Sequence, residues 1–460
     1  MRKVERRATI CLLLAGVLLA GMLVYAYRYV VHGKTWASFY GNQQIYTNGE
    51  LNRGTIYDRY GTKLLDCTKK GMTYSSDEEL RRATVHVVGD ASGNVADGAI
   101  NMWSGDLIGY DLLNGTYDTS AEGKSITLTI DAEANRKAYE SLSNYSAGTV
   151  GVYNYKTGEI YCLVSTPSFD PENPPSSSTS SADEGSIYFN NFLQGAMTPG
   201  STFKLVTSAA AIDTLSESDL NSFSFTCDGT NKFGSDDITC TSAHGTVDFE
   251  RALAVSCNGA FGALSRKVGA TALSEETTKV GLRKSLDING IKTQKGSFRF
   301  PDDNEVNLSW AGIGQYDDQV NPCSMMVYVG SIANGGKAVS PVLLKSSSFL
   351  HSGKGESLGD YLDSSTAKKL KSMMKNNVEV TYGTYNYPGL DIYAKSGTAE
   401  TKSGEDAWFV GFINDNNYPL AFVVWVKNGG TGFQTAGPIA RDVLNEIISN
   451  NGEDVQSSQD

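Results

Sequence analysis

Ser201 and Lys204 stand three residues apart in the run TPGSTFKLVTSAAAI (198–212), where Pro199-Gly200 precedes an almost wholly apolar stretch. Positions i and i+3 share a helix face, so the hydroxyl and the amine can touch. An unpaired ammonium among apolar neighbours loses its hydration at high cost, so a lysine placed there needs a use. General-base chemistry is one. A lysine whose pKa falls from about 10.4 to roughly 7–8, which takes about 4 kcal/mol of charge destabilisation, can accept a serine proton near neutrality. Phe203, Leu205, Val206 and Ala209 to Ala211 are surroundings of the kind that push it down. A helix N-terminus beneath the serine adds positive partial charge, favouring an alkoxide or an oxyanion.

Two further groups follow in chain order. Ser256-Cys257-Asn258 supplies a second hydroxyl and an amide, suited to passing a proton to a leaving nitrogen and to holding a peptide carbonyl. Lys395-Ser396-Gly397-Thr398 falls in an expected strand, where Gly397 permits close backbone approach, Lys395 brings positive charge and Thr398 offers a hydroxyl and an N–H. Together the three groups make a serine acyltransferase site.

Each group alone is a weak signal. Ser365-Thr366-Ala367-Lys368 repeats S-x-x-K, and a helix cap with a snorkelling lysine explains any lone copy. Ser92-Gly93-Asn94 and Ser449-Asn450-Asn451 repeat S-x-N, while Lys156-Thr157-Gly158 and Lys402-Ser403-Gly404 repeat K-[ST]-G. Order and context separate them: Lys156 sits in a hairpin turn before the nucleophile, Lys402 lies past the strand, Ser92 precedes the site and Ser449 ends the chain. Only the 201, 256 and 395 set has each member on the element it needs.

The elements that must position this set are legible in outline. Thr149–Tyr153 and Glu159–Val164 are apolar, β-prone runs joined by Asn154-Tyr155-Lys156-Thr157-Gly158, which predicts a hairpin. The low-complexity stretch PENPPSSSTSSADEGS (171–186) reads as a loop. Helical periodicity dominates from about 201 to 380, including RALAVSCNGAFGALSRKV at 251–268. Strands return as LDIYAKSGTAET, DAWFVGFIN and LAFVVWVKN, and a helical pattern from Ala436 to Ser449 closes the chain. Strands from both ends of the domain predict one antiparallel sheet of about five strands, with helices on its faces and a helical insert.

The remaining composition bounds the class. At 460 residues and 40% hydrophobic content the chain supports two or three domains with a sizeable core. Ala8 to Tyr27 holds no charged residue over 20 positions, enough to cross a bilayer. Arg2, Lys3, Arg6 and Arg7 precede it, against Arg28 and Lys34 behind, which predicts a cytoplasmic N-terminus and an uncleaved single-pass anchor. The formal net charge of −12 argues against a nucleic-acid partner. Among the cysteines, Cys11 lies in the span, Cys67, Cys162, Cys257 and Cys323 are scattered, and Cys227 with Cys240 flank a polar loop as a candidate disulfide. His32, His86, His244 and His351 are far apart and no zinc-type spacing is present, so neither a metal nor a cofactor is expected. The expected layout is 1–31 cytoplasmic N-terminus and anchor, 32–140 a small α+β pedestal, 141–450 the catalytic domain and 451–460 a polar tail.

LQGAMTPGSTFKLV, HGTVDFERALAVSCNGAF, AGIGQYDDQVNPCSMM with IANGG behind it, and AKSGTAE followed by AWFVGF resemble, in order, the signatures of class B penicillin-binding proteins. NRGTIYDRYGTKLL and HVVGDASG with GKSITLTIDAEANRKAYESL are similar to the segments that open and close that family's pedestal. Only 25 positions separate Tyr60 from His86, which places the chain with the short-pedestal members of the family it resembles. The resemblance implies the α/β (α+β) transpeptidase fold shared with serine β-lactamases. It implies Ser201 as acylated nucleophile, Lys204 as base, Ser256 as proton shuttle and Asn258 as orienter of the acyl donor. Lys395, Ser396, Gly397 and Thr398 would line the donor strand, with the Ser201 and Thr398 N–H groups as oxyanion hole. The substrate implied is the D-Ala-D-Ala end of a peptidoglycan stem peptide, with β-lactams as mimics and a multi-span glycan polymerase as partner. A D,D-carboxypeptidase or a β-lactamase would use the same motifs with water as acceptor, the β-lactamase being disfavoured by an anchored pedestal. A β-lactam sensor or wall-synthesis scaffold is the alternative of another class.

Overall fold

In the computed structural model the described residues are 2–37, 46–47, 50–51, 54–68, 71–109, 124–175, 187–234, 236–345 and 353–457. His351, most of the 171–186 loop and the last residues of the expected tail lie outside them. Five strands form the central sheet: β1 (Gly148–Asn154), β2 (Ile160–Thr166), β3 (Ile392–Thr401), β4 (Gly404–Ile413) and β5 (Leu420–Val426). Their order is β3-β4-β5-β1-β2, antiparallel throughout. The expected sheet of five strands built from both ends of the domain is thus present, with the β1–β2 hairpin as its edge.

Every residue of β1 and β5 is buried, because helices cover both faces of the sheet. Side chains alternate across a strand with period two, so each face must be apolar in its own right. In β5, Phe422, Val424 and Val426 pack with α1 (Ala132–Leu142) and the closing helix α5 (Gly432–Ser457). Ala421, Val423 and Trp425 pack instead with α4 (Pro322–Ala333), a largely apolar, buried helix that carries Met326, Val327 and Ile332. That double coverage explains why LAFVVWV reads as an unbroken apolar run. Asn321 caps α4 through Oδ1 to the Ser324 N–H and donates from Nδ2 to the carbonyls of Phe192, Leu193 and Gly195, tying the helix to the segment that leads into Ser201.

Three expectations need adjustment. α1 crosses the expected 140/141 boundary, and its Ala134, Ala138 and Leu142 lie in the core of the central sheet. The 201–380 segment is not all helical: Ser224–Cys227 pairs with Gly245–Asp248, and Thr230–Phe233 with Asp236–Thr239, as two small antiparallel ribbons. The closing helix also runs beyond the expected Ser449. Before residue 130, a second sheet combines Thr55–Tyr57, Lys63–Thr68, Gly71–Tyr74 and Ile126–Leu128 with Leu344–Lys345 from far along the chain. A long apolar helix, Arg2–Ala37, opens the chain, with most of its large side chains exposed.

Candidate active site

Ser201 lies on a single 3-10 turn, Gly200–Phe203, that runs directly into α2 (Lys204–Thr214). Gly200 adopts φ +53, and a Cβ there would meet the Thr398 carbonyl oxygen at 2.6 Å. Only glycine fits this left-handed position against the β3 backbone. Trp408 on β4 donates its indole N–H to the Thr198 carbonyl at 3.0 Å, so the turn is held against the sheet from both sides.

Lys204 is fully buried, and its Nζ is surrounded by four neutral oxygens: Ser201 Oγ at 3.0 Å, Ser256 carbonyl O at 2.7 Å, Ser256 Oγ at 3.2 Å and Asn258 Oδ1 at 2.6 Å. Burial pushes its pKa down to about 8, with the nearby Cys240 and Cys257 pulling the other way. The Ser256 carbonyl and Asn258 Oδ1 can only accept, so they occupy both N–H groups of a neutral amine. The lone pair is then left for a hydroxyl proton. Asn258 cannot turn its amide round, because its Nδ2 donates to the Thr239 carbonyl at 2.7 Å. The arrangement can take a proton from Ser201 Oγ without a histidine or a carboxylate.

The 251–268 helix expected from sequence is broken where it matters. Phe249–Ala254 ends, Ser256 takes φ +54, and α3 (Asn258–Val268) restarts with Cys257 as its cap. A non-glycine residue in the left-handed region is strained. Here the strain turns the Ser256 hydroxyl and carbonyl towards Lys204. Lys395, also fully buried, reaches the same hydroxyl from β3 at 3.0 Å and donates to the Ser396 carbonyl at 2.8 Å. Its pKa is driven well below the ordinary lysine value by burial first and by the charge of Lys204 second. Ser256 Oγ therefore bridges two buried lysines, an arrangement able to relay a proton.

Gly397 permits the close approach expected of it: a Cβ there would sit 2.9 Å from the Pro199 carbonyl oxygen. Thr398 accepts from the Gly432 N–H on Oγ1 at 3.3 Å, and its carbonyl accepts from Gln315 Nε2 at 3.2 Å. Tyr382 was not legible from the sequence. It closes a π-helical turn, Val378–Tyr382, and its buried hydroxyl accepts the Ser396 N–H at 2.8 Å while lying 3.0 Å from Ser396 Oγ. Burial raises its pKa to about 12, so it stays a neutral hydrogen-bonding group. All eight residues expected at the site converge. The decoy pair does not: Ser365 and Lys368 are exposed on the helix Ser364–Asn377.

The profile of the penicillin-binding protein transpeptidase domain matches residues 148–445. The chain belongs to that family. Among its relatives, the peptidoglycan D,D-transpeptidase PbpA of Mycobacterium tuberculosis is 26% identical over 385 residues, spanning 74% of this chain and 76% of the relative. Penicillin-binding protein 3 of Bacillus subtilis is 25% identical over 412 residues, spanning 82% of this chain and 60% of the relative. The fold is that of penicillin-binding protein A from M. tuberculosis, solved as a ceftriaxone acyl-enzyme. Its TM-score is 0.72 at 22% identity, covering 85% of this chain and 97% of the other. Within the penicillin-binding family the central sheet, the Ser201 turn and the β3 strand of this chain occupy one continuous domain, and the expected transpeptidase fold is the one observed.

The candidate disulfide is not formed. Cys227 and Cys240 are free thiols with Sγ atoms 3.6 Å apart, far beyond the bonded distance of about 2.05 Å.

Proposed function

We propose that this chain is a serine D,D-transpeptidase that cross-links peptidoglycan stem peptides through an acyl-enzyme at Ser201. The observation that carries the reading is Lys204 Nζ, buried, 3.0 Å from Ser201 Oγ, with its two closest contacts, the Ser256 carbonyl and Asn258 Oδ1, going to oxygens that can only accept. Neutral Lys204 takes the Ser201 proton as Oγ attacks the carbonyl carbon of the penultimate D-Ala. The oxyanion is stabilised by the Ser201 and Thr398 backbone N–H groups. Collapse breaks the peptide bond, and the leaving nitrogen receives its proton through the Ser256 hydroxyl, which contacts both Lys204 and Lys395. Asn258 orients the donor backbone, while Lys395, Ser396, Gly397 and Thr398 line the strand on which the donor and its terminal carboxylate lie. The amine of a second stem then attacks the acyl-enzyme, Ser201 Oγ leaves and recovers a proton, and the cross-link is complete. β-Lactams acylate the same serine.

The 1–31 segment acts as a membrane anchor with its N-terminus in the cytoplasm, supported by Arg2, Lys3, Arg6 and Arg7 ahead of a helix with the length and hydropathy of a membrane span. The residues up to the start of α1 form the short pedestal, and a separate glycan polymerase supplies the strands to be joined. The test is product analysis by mass spectrometry with the full-length chain in detergent, lipid-linked glycan and a polymerase, Ser201→Ala serving as blank. Amide-linked dimers are expected. Release of D-Ala with no dimer, even with acceptor amine present, would replace this reading with the carboxypeptidase.

A further inference from the structure

Cys227, Cys240, His244 and Cys257 are separated by 13, 4 and 13 positions in sequence, a spacing that matches no metal motif. The fold brings them together. Cys227 ends the strand Ser224–Cys227, which pairs with Gly245–Asp248 just after His244, and Cys240 follows the strand Asp236–Thr239. Cys257 caps α3. Their ligand atoms all lie within 4.8 Å of one another. The closest pairs are Cys227 Sγ to Cys240 Sγ at 3.6 Å, Cys227 Sγ to His244 Nδ1 at 3.6 Å and Cys240 Sγ to Cys257 Sγ at 3.9 Å.

We propose that these four side chains form a closed Cys3His site for a zinc ion, and that the ion fastens the Ser256-Cys257-Asn258 segment in its active geometry. Tetrahedral zinc with Zn–S of about 2.3 Å and Zn–N of about 2.0 Å requires ligand-to-ligand edges of about 3.8 Å between sulfurs and about 3.5 Å between sulfur and nitrogen. The closest observed edges agree with that tetrahedron. They do not agree with a disulfide, and three thiols around one point cannot all be satisfied by one bridge. Three soft sulfurs and one imidazole select zinc over magnesium or calcium, which take oxygen ligands. Four protein ligands leave no open position, so the ion is a structural fastener here.

The surroundings suit thiolate ligands. The Asn258 N–H points at Cys240 Sγ at 3.2 Å, the Ala260 N–H at Cys257 Sγ at 3.4 Å, and Asn231 Nδ2 at Cys227 Sγ at 3.7 Å. Such donors orient ligating sulfurs and offset the single negative charge left when Zn2+ meets three thiolates, their protons being released on binding. Cys227 and Cys257 are fully buried, while Cys240 and His244 are partly exposed and give an entry path. The site is one residue from the chemistry on either side. Cys257 lies between Ser256 and Asn258, and Asn258 is held by the Thr239 carbonyl next to Cys240. A metal across this junction ties the ribbons to the two residues that set the partners of Lys204.

The test is metal analysis of the full-length chain, purified in detergent without chelator and assayed for zinc by mass spectrometry. About one zinc per chain is expected, also in Ser201→Ala, which separates this site from the catalytic assignment. Cys240→Ser and His244→Ala should lose most of it. Against misfolding of these variants, wild-type protein is stripped with a thiol-competent chelator and titrated with cobalt(II) chloride. Uptake of one equivalent with the ligand-field and thiolate charge-transfer bands of tetrahedral Co2+ is expected. Stripping should slow acylation by a fluorescent penicillin about tenfold or more, in the range seen when a metal site loses its supporting residues, and zinc sulfate should restore it. Substoichiometric zinc together with failure to take up cobalt, or a Cys227–Cys240 bridge found in native unreduced protein, would overturn the proposal.

Discussion

Lys204 Nζ lies closer to Asn258 Oδ1, at 2.6 Å, than to the hydroxyl of Ser201 at 3.0 Å. The lysine is therefore positioned by an amide from another helix, and the neutrality of that amide matters as much as its reach. A carboxylate in its place would stabilise the ammonium and raise the pKa of the base. Asn258→Asp should lower acylation at neutral pH by about tenfold or more and move the rising limb of the pH profile upward. A profile left where it was would mean that Lys204 is not the titrating base. Stopped-flow acylation by a chromogenic cephalosporin across pH reads both.

In the wild-type chain the proton on Lys204 blocks the reaction, and burial sets its pKa near 8. The acylation rate should accordingly rise with pH, roughly tenfold per unit below about 8, and level off above it. The inflection should disappear in Lys204→Ala, whose residual rate should be lower by about 10²–10⁴. Near-normal acylation in that variant would leave the lysine with a structural role only.

A fluorescent penicillin should label Ser201 alone. Ser365→Ala should label like wild type, since Ser365 and Lys368 are exposed on the surface of their helix. Gel fluorescence surviving in Ser201→Ala would remove the nucleophile assignment.

Removing the Tyr382 hydroxyl leaves the Ser396 N–H without its 2.8 Å acceptor at the donor strand. An unsatisfied backbone group costs about 1–3 kcal/mol. Tyr382→Phe should lower the efficiency of acylation by roughly tenfold, chiefly through weaker binding of the donor, with the ring packing against Phe409 and Phe433 retained. An unchanged apparent affinity for the β-lactam would show that Ser396 needs no such support.

Gly397→Ala drives a methyl to within 2.9 Å of the Pro199 carbonyl and of the Thr202 methyl group. The Pro199 backbone cannot give without moving Ser201. Loss of acylation beyond about tenfold with only a modest fall in melting temperature is expected, as for a displaced reacting group. A variant that acylates normally would show that β3 and the Ser201 turn have slack.

Sequence reading reached what local spacing determines. Ser201 and Lys204 are one helical turn apart, and β5 announces itself because both its faces are apolar. The break at Ser256 escaped it, since the residues around it have helical periodicity and the left-handed φ is imposed by packing on α2 and β3. Tyr382 escaped because a tyrosine meeting a strand 14 residues on has no periodic signature. The thiol–imidazole cluster escaped for a related reason: its ribbons sit inside a segment that reads as helical, and only their pairing closes the distance.

The order of strands across the sheet has a consequence for biogenesis. β1 leaves the ribosome early, yet its partner on the open side is β5, the last strand made. During synthesis the hairpin β1–β2 waits with an unpaired apolar edge while more than half of the polypeptide is still to be made. Ser201 is made long before Lys395, so a nascent chain carries the serine turn but no β3 strand. Reactivity towards substrate or drug switches on only when the final strands dock, which makes the C-terminal 70 or so residues the timing element for activity and the period before their arrival the window in which the chain is most exposed to aggregation and proteolysis.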